Sequence, residues 1–172
     1  MIASSDTQLL IGVGSNVDPA RYVPQAIRLV RETFSVVRLS TLYHTRPLGD
    51  PRQPAYVNGV IAAVTRLPIA ATRAALRAIE YQCGRVRDPG QRSAARTMDL
   101  DLLAFGDAVL PDEDLPAPEL LERDFCLIPA AEVLPDWVHP LLGKPLRTLA
   151  AERFPQRPNI LGPVAFAAVR EA

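Results

Sequence analysis

The order of apolar patterns along this chain limits its fold more than any other feature. Residues 8–13 form a short apolar run that closes on Gly12-Val13-Gly14, the pattern of a buried strand. After a break at Asp18-Pro19, Ile27, Val30 and Phe34 recur at helical spacing with Ala26 beside them, and Pro24 suits a first helical turn. Residues 36–44 alternate and are rich in β-branched and aromatic side chains. Residues 45–55 carry three prolines and a glycine, a stiff loop, and 56–65 return to the strand pattern. A second helix is expected over 68–82, with Ala75, Leu76, Ile79 and Cys83 on one face. A polar loop over 84–96 then leads to a fourth strand over 97–105. Strand, helix, strand, strand, helix, strand is a split βαβ order. It predicts an α+β fold: a ferredoxin-like βαββαβ core, its antiparallel sheet carrying helices on one face. Beyond Phe105 a proline-rich stretch, a short helix over 129–134 and an irregular tail form a C-terminal extension. With 172 residues and no repeat, one domain over 1–172 is expected.

Charge and composition narrow the function. Nineteen basic residues balance nineteen acidic ones, which argues against nucleic-acid or membrane-surface partners, since both need a basic excess. No apolar run approaches the roughly 20 residues that span a bilayer, and the first ten residues lack a basic n-region. A cytoplasmic protein with no obligate protein partner is the expectation. Cys83, Cys126, His44 and His139 lack zinc-site spacing, so buried structural cysteines are expected. Eighteen arginines stand against one lysine, Lys144, and Pro145 behind it excludes a phosphate-loop lysine.

The chemistry points to one strand. In Thr97-Met98-Asp99-Leu100-Asp101-Leu102-Leu103 the alternation sends both aspartates to one face and Met98, Leu100 and Leu102 to the other. Two carboxylates so placed repel unless a cation lies between them, and hard oxygen donors of this kind suit Mg²⁺ with substrate phosphates. A charged strand edge that discourages aggregation is the other reading. Arg85, Arg87, Arg92 and Arg96 fall within the twelve residues over 85–96. Guanidinium forks bind phosphate oxygens bidentately, although a solvated basic loop would have the same composition. Gly12-Val13-Gly14-Ser15-Asn16 is a tight strand exit that lets backbone approach a ligand. Thr45, Leu48, Tyr56 and Asn58 offer a hydroxyl, an apolar edge, a ring and an amide, a set that could hold a flat heterocycle or merely pin the loop.

In that order, GVGSN at 12–16, YHTRPLGDPRQPAYVNGV at 43–60, IEYQCGRVR at 79–87, RTMDLDLLAFGD at 96–107 and the segment 120–144 resemble the 6-hydroxymethyl-7,8-dihydropterin pyrophosphokinase family. The resemblance implies transfer of pyrophosphate from ATP to the hydroxymethyl group of 6-hydroxymethyl-7,8-dihydropterin, giving AMP, in folate biosynthesis. It implies that Asp99 and Asp101 hold two Mg²⁺ ions, and that Arg85 and Arg96 share the catalytic work with them. It also implies an ATP site of Glu80, Arg85, Arg87, Arg96, Leu102 and Arg123, and a pterin site of Gly14, Thr45, Leu48, Tyr56, Asn58 and Phe125.

The departures from that family are local. Ala117 stands where the family has a histidine that touches ATP phosphate. Asp112 or Glu113 falls where an arginine is usual, Arg46 replaces a loop proline, and 92–95 lack the usual tryptophan and glycine-proline. They motivate two alternatives: a pterin-binding paralogue with weak or no transfer, and a pyrophosphokinase for a modified pterin.

Overall fold

The computed structural model describes residues 6–86 and 95–170. Strands β1 (Thr7–Ser15), β4 (Tyr56–Thr65) and β5 (Asp99–Phe105) form the centre of an antiparallel sheet, β1 lying between β4 and β5. The alternating segment over 36–44 is divided into β2 (Ser35–Leu39) and β3 (Leu42–Thr45), which pair with opposite ends of β4. A last strand, β6 (Ile160–Val164), adds to β3 at the edge, so the expected irregular tail contains a strand. The ferredoxin-like order of the core is present.

Helices α1 (Pro19–Thr33) and α2 (Ile69–Gln82) cover one face. α1 begins five residues before Pro24, because Pro19 takes the first helical position, where its missing N–H costs nothing. Val23, Ala26, Ile27 and Val30 of α1 and Leu76 and Ile79 of α2 bury against Leu9, Ile11 and Val13 of β1 and Leu100 and Leu102 of β5. Each fully buried side chain of this size contributes roughly 1.5–3 kcal/mol.

The other face differs from the expectation that helices lie on one side only. There α3 (Glu119–Glu122), α4 (Asp124–Val133) and α5 (Leu146–Arg153) pack Leu120, Leu127, Ala130, Leu146 and Leu149 on Leu10, Val60, Ala62 and Leu103. The helix expected over 129–134 begins at Asp124 and holds Pro129 in its interior. This C-terminal group covers only the far part of the second face. Where β1 and β5 run on beyond it, the sheet is left as the floor of a cavity. Among the described residues, no helix is long and apolar enough to cross a membrane.

Candidate active site

The floor of the cavity follows from strand register. Asp99 lies opposite Gly14 and Asp101 opposite Gly12 across the β1–β5 ladder. The alternation that buries Leu100 and Leu102 under α1 and α2 turns both aspartates to the opposite face, together with the two glycines. A Cβ at position 14 would come within 2.9 Å of the Asn58 side-chain oxygen, so only glycine lets that amide lie across the strand. The resulting cavity holds about 430 Å³, a volume suited to small ligands.

Asp99 is well neutralised. Arg96 Nη1 donates to its Oδ2 at 2.5 Å, and Arg85 Nη2 lies 3.7 Å from its Oδ1. Asp101, which faces the cavity, has no such partner among the described residues. Desolvation by the surrounding walls, followed by repulsion from Asp99, Glu80 and Glu119, pushes its carboxyl up to about 7 against the pull of Arg96. A site that makes an aspartate reluctant to ionise is short of positive charge at that point. Two oxygen donors on one face, one of them electrostatically unsatisfied, fit a hard divalent cation that takes its remaining ligands from phosphate and water. Among the described residues, no group of three or more His, Cys, Asp or Glu could hold a metal ion.

One end of the cavity is lined by Leu48, Tyr56, Asn58 and Phe125, with Arg46. Its polar groups are fixed by neighbours. Asn58 Nδ2 donates to Thr45 Oγ1 at 2.6 Å, and Thr45 is buried beneath it rather than lining the cavity. Tyr56 donates its hydroxyl to Gln53 Oε1 at 3.4 Å. Arg123 lies above the Phe125 ring, 6.0 Å from its centre, within cation–π range.

The other expected residues fall in three places. Gly14, Arg96, Leu102 and Arg123 border the cavity, although the Leu102 side chain packs into the core beneath α1 and α2. Arg85 and Glu80 stand behind the floor. Arg85 Nη1 donates to the Met98 carbonyl at 3.3 Å, and the buried Glu80 carboxylate accepts the Leu100 N–H at 2.8 Å. Both therefore fix the backbone that carries the two aspartates. Arg87, with Arg92 and the altered 92–94 segment, lies outside the described residues.

Sequence reading missed several groups. Arg73 from α2, Asp114 and Glu119 line the cavity beside Ala117. In the acidic 112–114 stretch it is thus Asp114 that borders the space, while Arg73 donates to the Glu113 carbonyl. Asn16 ties the site together: its Oδ1 accepts the Arg96 N–H at 2.8 Å and its Nδ2 donates to Gln53 Oε1 at 3.2 Å. GVGSN signalled a close approach of backbone, but not that its asparagine would join the arginine to the proline-rich loop. Burial pushes the Cys83 thiol up to about 11 and the Cys126 thiol up to about 12, so neither is a thiolate nucleophile near neutral pH.

A model of the family 7,8-dihydro-6-hydroxymethylpterin-pyrophosphokinase matches residues 10–135, which include both aspartates and Leu48, Tyr56, Asn58 and Phe125. The chain is 37% identical over 141 residues to a 2-amino-4-hydroxy-6-hydroxymethyldihydropteridine pyrophosphokinase of Synechocystis, covering 78% of this chain and 70% of that one. It is 40% identical over 134 residues to the protein of that name from Pseudomonas aeruginosa, covering 75% and 82%. A variant HPPK-DHPS chain of Plasmodium falciparum, solved with pteroate, superposes with a TM-score of 0.70 at 11% identity. That match covers 88% of this chain and 41% of the longer one, and it supports the fold alone. Sequence match and fold agree, and the carboxylate pair falls inside the matched span: the chain belongs to the 7,8-dihydro-6-hydroxymethylpterin-pyrophosphokinase family.

Proposed function

We propose that this chain transfers the pyrophosphoryl group of ATP to the hydroxymethyl oxygen of 6-hydroxymethyl-7,8-dihydropterin, in folate biosynthesis and in the cytoplasm. The observation that carries the reading is one cavity that joins a ring-lined, amide-bearing end to a floor of two carboxylates flanked by arginine. Tyr56, Leu48 and Phe125 hold the flat ring by contact and stacking, while Asn58, oriented by Thr45, offers hydrogen bonds to its edge.

In the transfer, the hydroxymethyl oxygen bonds to the β-phosphorus as the bond from that phosphorus to the α,β-bridging oxygen breaks. AMP leaves with the bridging oxygen, and the hydroxyl proton passes to water in the cavity. Such a reaction needs positioning and charge neutralisation more than a strong base, consistent with a cavity whose lining, among the described residues, contains no histidine or lysine. Asp99 and Asp101 would hold Mg²⁺, two ions when both substrates are present. Mg²⁺ bound there supplies charge neutralisation to the phosphate oxygens. Arg96 and Arg123 reach the same space and stabilise charge that builds on the leaving side, with Arg85 holding Asp99 in place. Arg73 is the added cation of the nucleotide end, beside Ala117, where a side-chain donor is missing.

The binding-only alternative has less support, because both carboxylates, Arg96 and Arg123 remain on the cavity wall. A coupled assay of AMP release decides between them. AMP formation that requires ATP, the dihydropterin and Mg²⁺ together is expected; tight pterin binding with no AMP would leave a binding protein instead.

A further inference from the structure

We infer that Asp124 and Asn159 are positioning residues for the heterocycle end. They form a buried latch by which the C-terminal segment, beyond the family match at 10–135, holds two walls of the cavity at one separation. The inference rests on the pterin assignment above.

Asp124 is fully buried and stands between Arg123 and Phe125, both of which line the cavity. Its Oδ1 accepts the Phe125 N–H at 2.9 Å and Asn159 Nδ2 at 3.1 Å, and its Oδ2 accepts the Asn159 N–H at 2.8 Å. The Asn159 carbonyl in turn accepts the N–H of Arg46, on the facing wall, at 2.9 Å. The next residue, Ile160, pairs with Thr45, which orients Asn58. A continuous path of short hydrogen bonds thus runs from the ring of one wall to the loop of the other.

The chemistry makes this path stiff. A buried carboxylate is costly unless its lone pairs are met, and here three N–H donors meet them in one arrangement. Contact energy across a sandwiched ring is sensitive to spacing. Opening the walls by roughly 0.5–1 Å would forfeit about a quarter to a half of each dispersion contact. A latch that served only to hold down the tail would not need both its ends bonded to neighbours of ligand-facing groups.

Two variants weaken the latch: Asp124→Asn keeps the buried side-chain volume but turns an amide N–H₂ toward one of the three N–H donors, and Asn159→Ala removes the Nδ2 bond alone and leaves the backbone bonds of Asn159 in place. Binding of the dihydropterin is titrated calorimetrically with Mg²⁺ and α,β-methylene-ATP present, so that no transfer occurs. Pterin Kd is expected to rise roughly 3- to 30-fold. The Kd of the ATP analogue alone should change by less than about 2-fold. The larger rise is expected in Asp124→Asn, because an N–H donor left without an acceptor costs more than a bond removed together with its donor. Phe125→Ala is titrated alongside. If Phe125→Ala weakens pterin binding and neither folded latch variant does, the latch is structural only and the inference fails. If Phe125→Ala leaves pterin affinity unchanged, the assignment of this end fails and the latch with it. Equal losses of both ligands in the latch variants also overturn it.

Discussion

The two ends of the cavity are built on different principles. At the end proposed for the heterocycle, Asn58 is held on Thr45, and Tyr56 and Asn16 on Gln53. At the nucleotide end Arg73 and Arg123 stand among Asp114 and Glu119, and Arg123 is 3.5 Å from Glu119. On the proposed reading the first end has much of its polar geometry set within the fold, and the second exchanges the Arg123–Glu119 ion pair for contacts to phosphate. A flat ring is recognised by shape and edge, which rewards rigidity. A polyphosphate is recognised by charge, and there each carboxylate on the wall subtracts from the attraction.

The floor that both ends share gives the largest expected effect. Asp99→Ala or Asp101→Ala should lower kcat by roughly 10²- to 10³-fold or more while far-ultraviolet circular dichroism stays unchanged. Near-normal turnover would remove the metal assignment, and an unfolded variant would make the pair structural. The contrast between the ends sharpens next. Phe125→Ala should weaken pterin binding by roughly 1–3 kcal/mol and leave ATP binding nearly as it is. Ala117→His should do the reverse: a restored charged hydrogen bond is worth about 1.5–3 kcal/mol, or roughly 10- to 150-fold in ATP affinity. If each substitution changed both affinities equally, the division into two ends would be lost.

The smallest effect concerns the unligated fold. Asp101 is raised from its ordinary 3.8 to about 7, so it is neutral in both folded and unfolded chains below about pH 4. As pH climbs from there to 7, the unfolded chain releases this proton before the folded one, and stability is lost over that window. Asp101→Asn removes the loss. Its melting temperature should match the parent near pH 4 and exceed it at pH 7.5 by a few degrees at most, because the carboxyl is open to solvent. Addition of Mg²⁺ with ATP should raise the parent's melting temperature and not the variant's.

The strand order and the aspartate pair were legible because both rest on local periodicity. Period-two alternation sends Asp99 and Asp101 to one side wherever the strand lies. Tyr56–Thr65 was placed without error because its apolar run has no competing helical period. Other features were legible only through the family resemblance: the roles of Phe125 and Arg123 come from α4, whose position above the sheet no periodicity reveals.

What the sequence determined by itself was therefore a set of faces: which side chains leave which side of a strand or helix, and where the chain must turn. Tertiary structure decided which faces meet. It set Gly12 and Gly14 opposite the two aspartates, brought Arg73 from α2 and Asp114 from a distant turn to one cavity, and joined Asp124 to Asn159 across 35 residues. It also buried Glu80 behind β5 as the acceptor of the Leu100 N–H. The reason is that alternation is a property of neighbouring dihedrals, whereas register and docking depend on the packing of all elements at once, and a slip of one residue would reverse every face.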